Sequence, residues 1–187
     1  ARHWIASPAK LVEAIAQQSR VDAGEIYVVD AASRTTGANA YVAGLGATRR
    51  VVIYDTLLKD FSADERRQVI AHEFAHAKHR DLIAGLVWFA FVAMVSLFAV
   101  DLLARTLARR REVDFASPAA LAMVAAAAML AIAVSQPAAN AWSRAIEARA
   151  DAFALRVTRA PDAAITMERR LTIKNLARPE PPVARQF

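Results

Sequence analysis

Two histidines and a glutamate within residues 69–81, VIAHEFAHAKHRD, have the spacing of a metal-dependent hydrolytic site. His72 and His76 are four residues apart, which on a helix separates them by about 40° in projection and about 6 Å along the axis. Both imidazoles can then bind one ion, with Glu73 close to a water on that ion. Nitrogen and oxygen ligands at this spacing favour zinc. Ordinary surface histidines are the alternative, but three of the chain's four histidines fall within residues 72–79.

A catalytic zinc site normally takes three protein ligands, and three residues are candidates for the third position. His79 lies one turn after His76, but three successive ligands on one unbroken helix would be spread too far along its axis. His3 lies in a terminal segment with no predicted element. Glu147 is the third candidate.

Glu147 and Asp151 share one face of a predicted helix, in the segment SRAIEARADAFAL. Glu147 could bind the metal, and Asp151 could accept a hydrogen bond from a ligating histidine and fix its tautomer. The alternative is a solvated face paired with Arg144 and Arg149, and spacing alone favours that alternative.

The elements that would position this site are a helix, a small sheet and the histidine-bearing helix. Short β-branched and aromatic runs predict a small sheet that is at least partly antiparallel. Its middle segment, Asn39 to Gly46, is typical of an edge strand. Ser62 and Glu65 have capping-box spacing, so the histidine-bearing helix should begin near residue 63. The other predicted elements are a helix at 7–20, with Ser7 as N-cap and Pro8 at its first position, and strands at 25–30, 38–46 and 49–55.

Two uncharged apolar runs, at residues 82–100 and 115–135, predict a helical hairpin that crosses a membrane. The first run would span about 28 Å as a helix, close to the thickness of a bilayer core. A basic loop at 101–114 separates the two runs, and Pro137 follows the second. A hairpin buried in a soluble protein is the alternative. Arginines flank both ends of the hairpin, so the charge bias does not choose an orientation.

Charge and composition exclude several partners and linkages. The net charge is +6, yet no basic patch interleaved with aromatic residues points to nucleic acid. Arginines at helix ends instead suit anionic headgroups of a lipid bilayer. The lack of cysteine excludes disulfides and thiolate metal sites. The chain does not begin with methionine, so we expect sequence upstream, and the oligomeric state is left open.

The remaining residues complete a mainly α fold with a small β-sheet, an α+β class. Residues 138–159 and a segment from Pro161 to about residue 177 are predicted helices, and the proline-rich segment 178–187 is predicted to be extended. The predicted organisation has three parts: 1–81 carries the sheet and the histidine helix, 82–139 is the hairpin, and 140–187 carries the acidic helix and a last helix.

Two motifs together resemble the membrane zinc metallopeptidase family of CAAX prenyl proteases and HtpX-type proteases. The family pattern is H-E-x-x-H, then hydrophobic helices, then S-R-x-x-E-x-x-A-D. NAYVAG and RRVVIYDTLL also look like the family's segment ahead of the zinc helix; DTLL leans toward the prenyl proteases and Asp81 toward the HtpX type. The matching positions are His72, Glu73, His76, Ser143, Arg144, Glu147, Ala150 and Asp151.

The resemblance implies a zincin-like metalloprotease core with an inserted transmembrane hairpin. One zinc ion per chain would bind to His72, His76 and Glu147, with Glu73 as the catalytic carboxylate. Asp151 and Arg144 would support the ligands. It also implies an integral membrane protein of the bacterial inner membrane with its active site on the cytoplasmic side.

The expected substrate is an extended peptide or membrane protein, lipid-modified or not, that pairs with the edge strand. The residues expected to bind it are Asn39, Ala40, Tyr41 and Gly44. Family members usually have more membrane helices and a downstream segment bearing histidine and arginine, whereas this chain stops at Phe187. A non-enzymatic, zinc-stabilised membrane scaffold is the rival function, although a scaffold needs the ligands and not Glu73. A soluble four-helix-like protein is a third interpretation.

Overall fold

The structure is a computed structural model that describes residues 6–115 and 117–175. The chain divides into two compact units, one of residues 6–79 and 148–175 and the other of residues 80–147. His3 and the proline-rich segment 178–187 lie outside the described residues. The elements are α1 Ala6–Ser19, β1 Glu25–Val29, β2 Ala40–Ala43, a 3₁₀ turn Gly46–Thr48, β3 Arg50–Tyr54, α2 Asp55–Asp60, α3 Ala63–His79, α4 Asp81–Arg110, α5 Pro118–Thr158 and α6 Pro161–Asn175.

The three strands form one mixed sheet in the order β1-β3-β2. Strand β3 pairs in parallel with β1 and antiparallel with β2, which confirms the predicted small sheet with an antiparallel pair. Strand β2 lies at an edge, as its sequence predicted. Side chains alternate between two faces, so Val51 and Ile53 enter the core while Val52 points to the opposite face.

The core of the first unit lies between the inner face of the sheet and helices α1 and α3. Ile15 from α1, Ile53 from β3 and Phe74 from α3 are fully buried in it. Each such side chain contributes roughly 1.5–3 kcal/mol on burial. Phe74 lies between the two histidines of α3 in sequence, so the packing that holds this helix in the core also fixes the position of its polar face.

The capping box predicted for α3 is present and confirmed. Glu65 Oε2 accepts the backbone N–H of Ser62 at 2.7 Å, and Ser62 Oγ accepts the N–H of Glu65 at 3.3 Å. Arg170 of α6 donates to the same Glu65 oxygen at 3.0 Å. Burial pushes the pKa of Glu65 up, but the hydrogen bonds from Ser62, Thr166 and Arg170 outweigh it and leave that pKa below its usual value. The carboxylate therefore stays ionised and joins α3 to α6.

Helix α2 was not predicted from the sequence. It is only six residues long, Asp55–Asp60, too short to show an apolar repeat. Asp55 Oδ1 accepts the backbone N–H groups of Ala31 and Ala32 at 2.9 and 3.0 Å, which attaches the loop after β1 to the start of this helix. A hydrogen bond from Lys59 is the largest cause that lowers the pKa of Asp55, to about 2.

Helices α4 and α5 are both long and apolar enough to cross a membrane. Large apolar side chains of α4 such as Phe89, Met94 and Phe98 are exposed, so protein packing does not account for their hydrophobicity. Trp88 and Trp142 stack with their rings 5.1 Å apart and nearly parallel. These findings are those expected of a hairpin whose outer surface contacts lipid.

Two predictions about the hairpin boundaries are wrong. The predicted basic loop at 101–114 is helical over its first ten residues, because α4 continues to Arg110. Alanine, leucine and arginine are strong helix formers, and Arg105 bonds to Asp101 one turn earlier at 2.8 Å.

The helices predicted at 115–135 and 138–159 are one helix, α5, which passes through Pro137. Long apolar helices can contain proline, and α5 carries the polar residues Ser135, Gln136 and Asn140 close to Pro137. Gln136 donates to Asn140 at 2.8 Å.

Candidate metal centre

Helix α3 brings the two predicted histidine ligands together. The Nε2 atoms of His72 and His76 are 3.1 Å apart, and their rings meet nearly at right angles with centroids 4.9 Å apart. Two nitrogens bound to one zinc at tetrahedral geometry lie about 3.3 Å apart, given Zn–N bonds of about 2.05 Å. The separation of the two Nε2 atoms therefore fits a shared metal ion with almost no rearrangement.

Asp151 fixes the tautomer of His72. The Nδ1 of His72 lies 2.9 Å from Asp151 Oδ1, and an ionised carboxylate can only accept a hydrogen bond. Nδ1 must therefore carry the proton, which leaves the Nε2 lone pair free to bind a metal. Histidine ligands of metals commonly donate their second ring nitrogen to a carboxylate in this way. The Asp151 contact predicted from sequence is thus present in the geometry.

Small residues set the close approach of α3 to the C-terminal part of α5. Ala75 and Ala150 are each only 1 % exposed and pack in one cluster with Phe153. Ala75 lies between the two histidines in sequence, and Ala150 precedes Asp151. A larger side chain at either alanine would increase the distance between the helices and lengthen the contact of His72 with Asp151.

Glu147 lies one turn before Asp151 on α5, which is helical without interruption through residues 147 and 148. One ligand atom from each of His72, His76 and Glu147 lies within 4.8 Å of the other two. Glu147 is exposed, whereas both histidines are half-buried. Two imidazole nitrogens and one carboxylate oxygen are a donor set that suits zinc.

Three other residues were considered for this site from the sequence: Glu73, His79 and Arg144. Glu73 is half-buried and follows His72 directly on α3. His79 instead donates its Nδ1–H to the carbonyl of Ala75 at 3.0 Å and packs the edge of its ring against Phe153. Among the described residues, the cluster able to hold a metal does not include His79. Arg144 is exposed on α5, and its supporting role stays a prediction.

The predicted substrate-binding residues lie on and beside the edge strand β2. The carbonyl of Asn39 accepts the N–H of Tyr54 at 3.0 Å, so it pairs with β3. Ala40 is buried on the inner face, while Tyr41 points to the outer face. Gly44 has a φ of +82°, and a side chain there would meet the carbonyl of Thr48. No strand in the described part of the chain pairs with the free edge of β2.

Sequence analysis missed Ala75 and Phe153, which help to bring α3 and α5 together, and it gave Ala150 no packing role. Their one signal was spacing: Ala75 lies three residues after His72, and Ala150 three residues after Glu147, so each shares the helix face of a predicted ligand.

Comparisons with known proteins agree with the motifs. The family model described as peptidase family M48 matches residues 6–185. A Bacillus subtilis protein named as an uncharacterized metalloprotease, YhfN, is 29% identical over 182 residues, which cover 93% of this chain and 42% of the relative. The CAAX prenyl protease 1 of Saccharomyces cerevisiae is 33% identical over 80 residues, 42% of this chain and 18% of that protein.

The crystal structure of S. mikatae Ste24p superposes with a TM-score of 0.71 at 21% identity, covering 98% of this chain and 46% of that one. At this level of identity the likeness shows the fold, and it confirms the predicted fold class. The chain spans less than half the length of these relatives.

Proposed function

This chain belongs to peptidase family M48, and on that premise we propose that it is a membrane-associated, zinc-dependent endopeptidase. Its substrates would be membrane-associated or lipid-modified proteins. The observation that carries the proposal is the convergence of the His72 and His76 Nε2 atoms and a Glu147 oxygen, with Glu73 directly after the first histidine. A metal that served structure alone would not need a carboxylate at that position.

One zinc ion would be held by His72, His76 and Glu147, with the hydrogen bond that His72 Nδ1–H donates to Asp151 orienting the His72 ring. When bound, zinc supplies Lewis acidity, which polarises a peptide carbonyl and lowers the pKa of a coordinated water toward neutrality. Three protein ligands are the number typical of zinc sites that bind a reacting water.

Glu73 is the proposed general base. It would take a proton from the attacking water and deliver it to the leaving amine as the peptide bond breaks. Glu73 is half-buried and follows His72 directly on α3, so it is next to a proposed metal ligand in the chain. The residue is therefore needed for hydrolysis and not for metal binding.

The substrate backbone would add as a strand to the free edge of β2. Asn39 O bonds to Tyr54 N, and in an antiparallel pair such bonded positions alternate with unbonded ones. Tyr41 is two residues after Asn39, so its main-chain groups also point toward β3. The N–H and C=O groups of Ala40 and Val42 therefore face the free edge of β2. Those two residues would supply the main-chain hydrogen bonds to a peptide. Tyr41 would contact its side chains, and Gly44 would shape the end of the strand.

Helices α4 and α5 are proposed to cross the bilayer. A metal centre carried by the helices on either side of the apolar runs would act on peptide bonds near a membrane surface. A bacterial inner membrane and a cytoplasmic active site are proposed from the motif resemblance.

The test is cleavage of a mixed peptide library by zinc-loaded protein in detergent, comparing wild type with Glu73→Gln. We expect Glu73→Gln to lose cleavage while keeping about one zinc per chain, because glutamine cannot accept the proton. Glu13→Gln, at an exposed position on α1, is the matched control and should cleave like wild type. Cleavage retained by Glu73→Gln would refute the role of Glu73, and zinc binding without any cleavage by wild type would favour the scaffold.

A further inference from the structure

The outer face of the sheet carries a groove of about 630 Å³ that faces away from the core. Its floor is a row of three residues directly opposite one another on neighbouring strands: Tyr27 on β1, Val52 on β3 and Tyr41 on β2. Val52 is only 6 % exposed although it lies outside the core, because the two tyrosines and the loop after β1 flank it. Tyrosine rings and Val52 therefore line one part of the groove, while polar residues of the loop after β1 and Arg50 line the rest.

Tyr41, on the edge strand β2, is one of the residues that line the groove. This side chain is 40 % exposed and meets Tyr54 edge to face, with ring centroids 6.5 Å apart. Tyr54 lines the same groove. An aromatic or large aliphatic side chain that arrived from the edge would therefore meet two rings and an apolar floor.

The register of the sheet decides which residue of an added strand would reach the groove. The main-chain groups of Tyr41 point toward β3, because Tyr41 is two residues after Asn39, whose carbonyl accepts the N–H of Tyr54. An antiparallel strand beyond β2 would therefore place one residue opposite Tyr41 in a non-hydrogen-bonded pair. In such pairs the Cα atoms are only about 4.5 Å apart and the side chains on one face are in closest contact. The residues on either side of that position would point to the inner face.

We propose that this groove is a specificity subsite for an aromatic or large aliphatic side chain of the substrate, presented by the residue that pairs with Tyr41. The inference rests on the proposed peptidase function and names one feature of its substrates. The proposal is supported by the position of β2, since the same edge strand that would bind the peptide backbone also contributes Tyr41 to the groove. Tyr41 would act through substrate binding and not through the metal.

The experiment measures cleavage-site preferences of zinc-loaded wild type, Tyr41→Ala, Tyr41→Phe and Tyr27→Ala on one peptide library, read by mass spectrometry. We expect wild type to favour an aromatic or large aliphatic residue at one position relative to the cleaved bond. Tyr41→Ala should lower kcat/KM for such peptides by about 2- to 10-fold relative to peptides with alanine there, the range that aromatic contacts produce. Tyr41→Phe should keep the preference, and Tyr27→Ala, on the far strand, should change it less.

A preference unchanged in Tyr41→Ala, with zinc content and melting temperature also unchanged, would overturn the subsite and leave the peptidase function standing. Absence of cleavage by wild type, or equal cleavage by Glu73→Gln, would overturn the peptidase function itself. Should Tyr41→Ala fail to fold, zinc-loaded Glu73→Gln can be crosslinked to peptides that carry a photoreactive phenylalanine. Crosslinks to Tyr41 or Tyr54 support the subsite, and crosslinks only to other regions refute it.

Discussion

Replacing Asp151 with alanine should weaken zinc binding without removing a metal ligand. The mutation leaves the Nδ1–H of His72 without its acceptor at 2.9 Å, so the imidazole ring becomes freer to rotate. Loss of such a partner typically costs 10- to 100-fold in metal affinity. The Asp151 side chain is 62 % exposed, so water can replace its oxygen. We therefore expect the low end, about 10-fold in Kd or about 1.4 kcal/mol.

The assay is competition for zinc against a fluorescent chelator at neutral pH, on detergent-purified protein. Asp151→Asn should fall between wild type and alanine, because its amide oxygen accepts the Nδ1–H without the charge. Glu168→Ala is the control, since it removes an exposed carboxylate of α6 and should leave zinc affinity unchanged. An unchanged Kd in Asp151→Ala would refute the claim that this carboxylate positions His72.

Three further predictions concern stability and helix approach. Asp55→Asn should lower the free energy of unfolding by about 1 kcal/mol above pH 4, and the variant should lose less of its stability in acid than wild type does. The hydrogen bond from Lys59 holds the pKa of Asp55 in the folded state at about 2. The stabilisation is therefore present above the pKa of the unfolded state and is lost as the pH falls through the pKa of the folded state. Melting curves of wild type and Asp55→Asn from pH 5 to 2 measure the difference in stability. Ser62→Ala removes an N-cap and should cost about 1 kcal/mol by thermal melting, whereas Ser62→Asp should retain the cap. Ala150→Leu should push α5 away from Ala75 and lower zinc affinity more than Ala150→Gly does; equal affinities would refute the packing account.

The sequence predicted the elements whose signals are local. A run of β-branched and aromatic residues marked β3, and Ser62 with Glu65 marked the start of α3 because the capping box is formed by residues three apart. Pro137 misled the prediction, since proline ends most helices in water but is tolerated in long apolar ones. Helix α2 escaped notice because six residues cannot show a period.

The histidine pair was predictable for the same local reason, since His72 and His76 lie on one turn. The third ligand was not, because Glu147 lies 71 residues after His76 and spacing alone could not exclude a solvated face. Helix geometry disfavoured His79, and only the family motif favoured Glu147 as a ligand over a solvated face. The structure adds a physical cause, because the packing of Ala75 on Ala150 brings the two helices close enough for the contact with His72.

Zinc content per chain in wild type, Glu147→Ala and His79→Ala tests the proposed coordination most directly. Measured by atomic emission after dialysis against a weak chelator, wild type and His79→Ala should each retain about one zinc. Glu147→Ala should lose most of its zinc, because it removes one of three ligands. Full zinc in Glu147→Ala together with loss in His79→Ala would contradict the proposed metal centre.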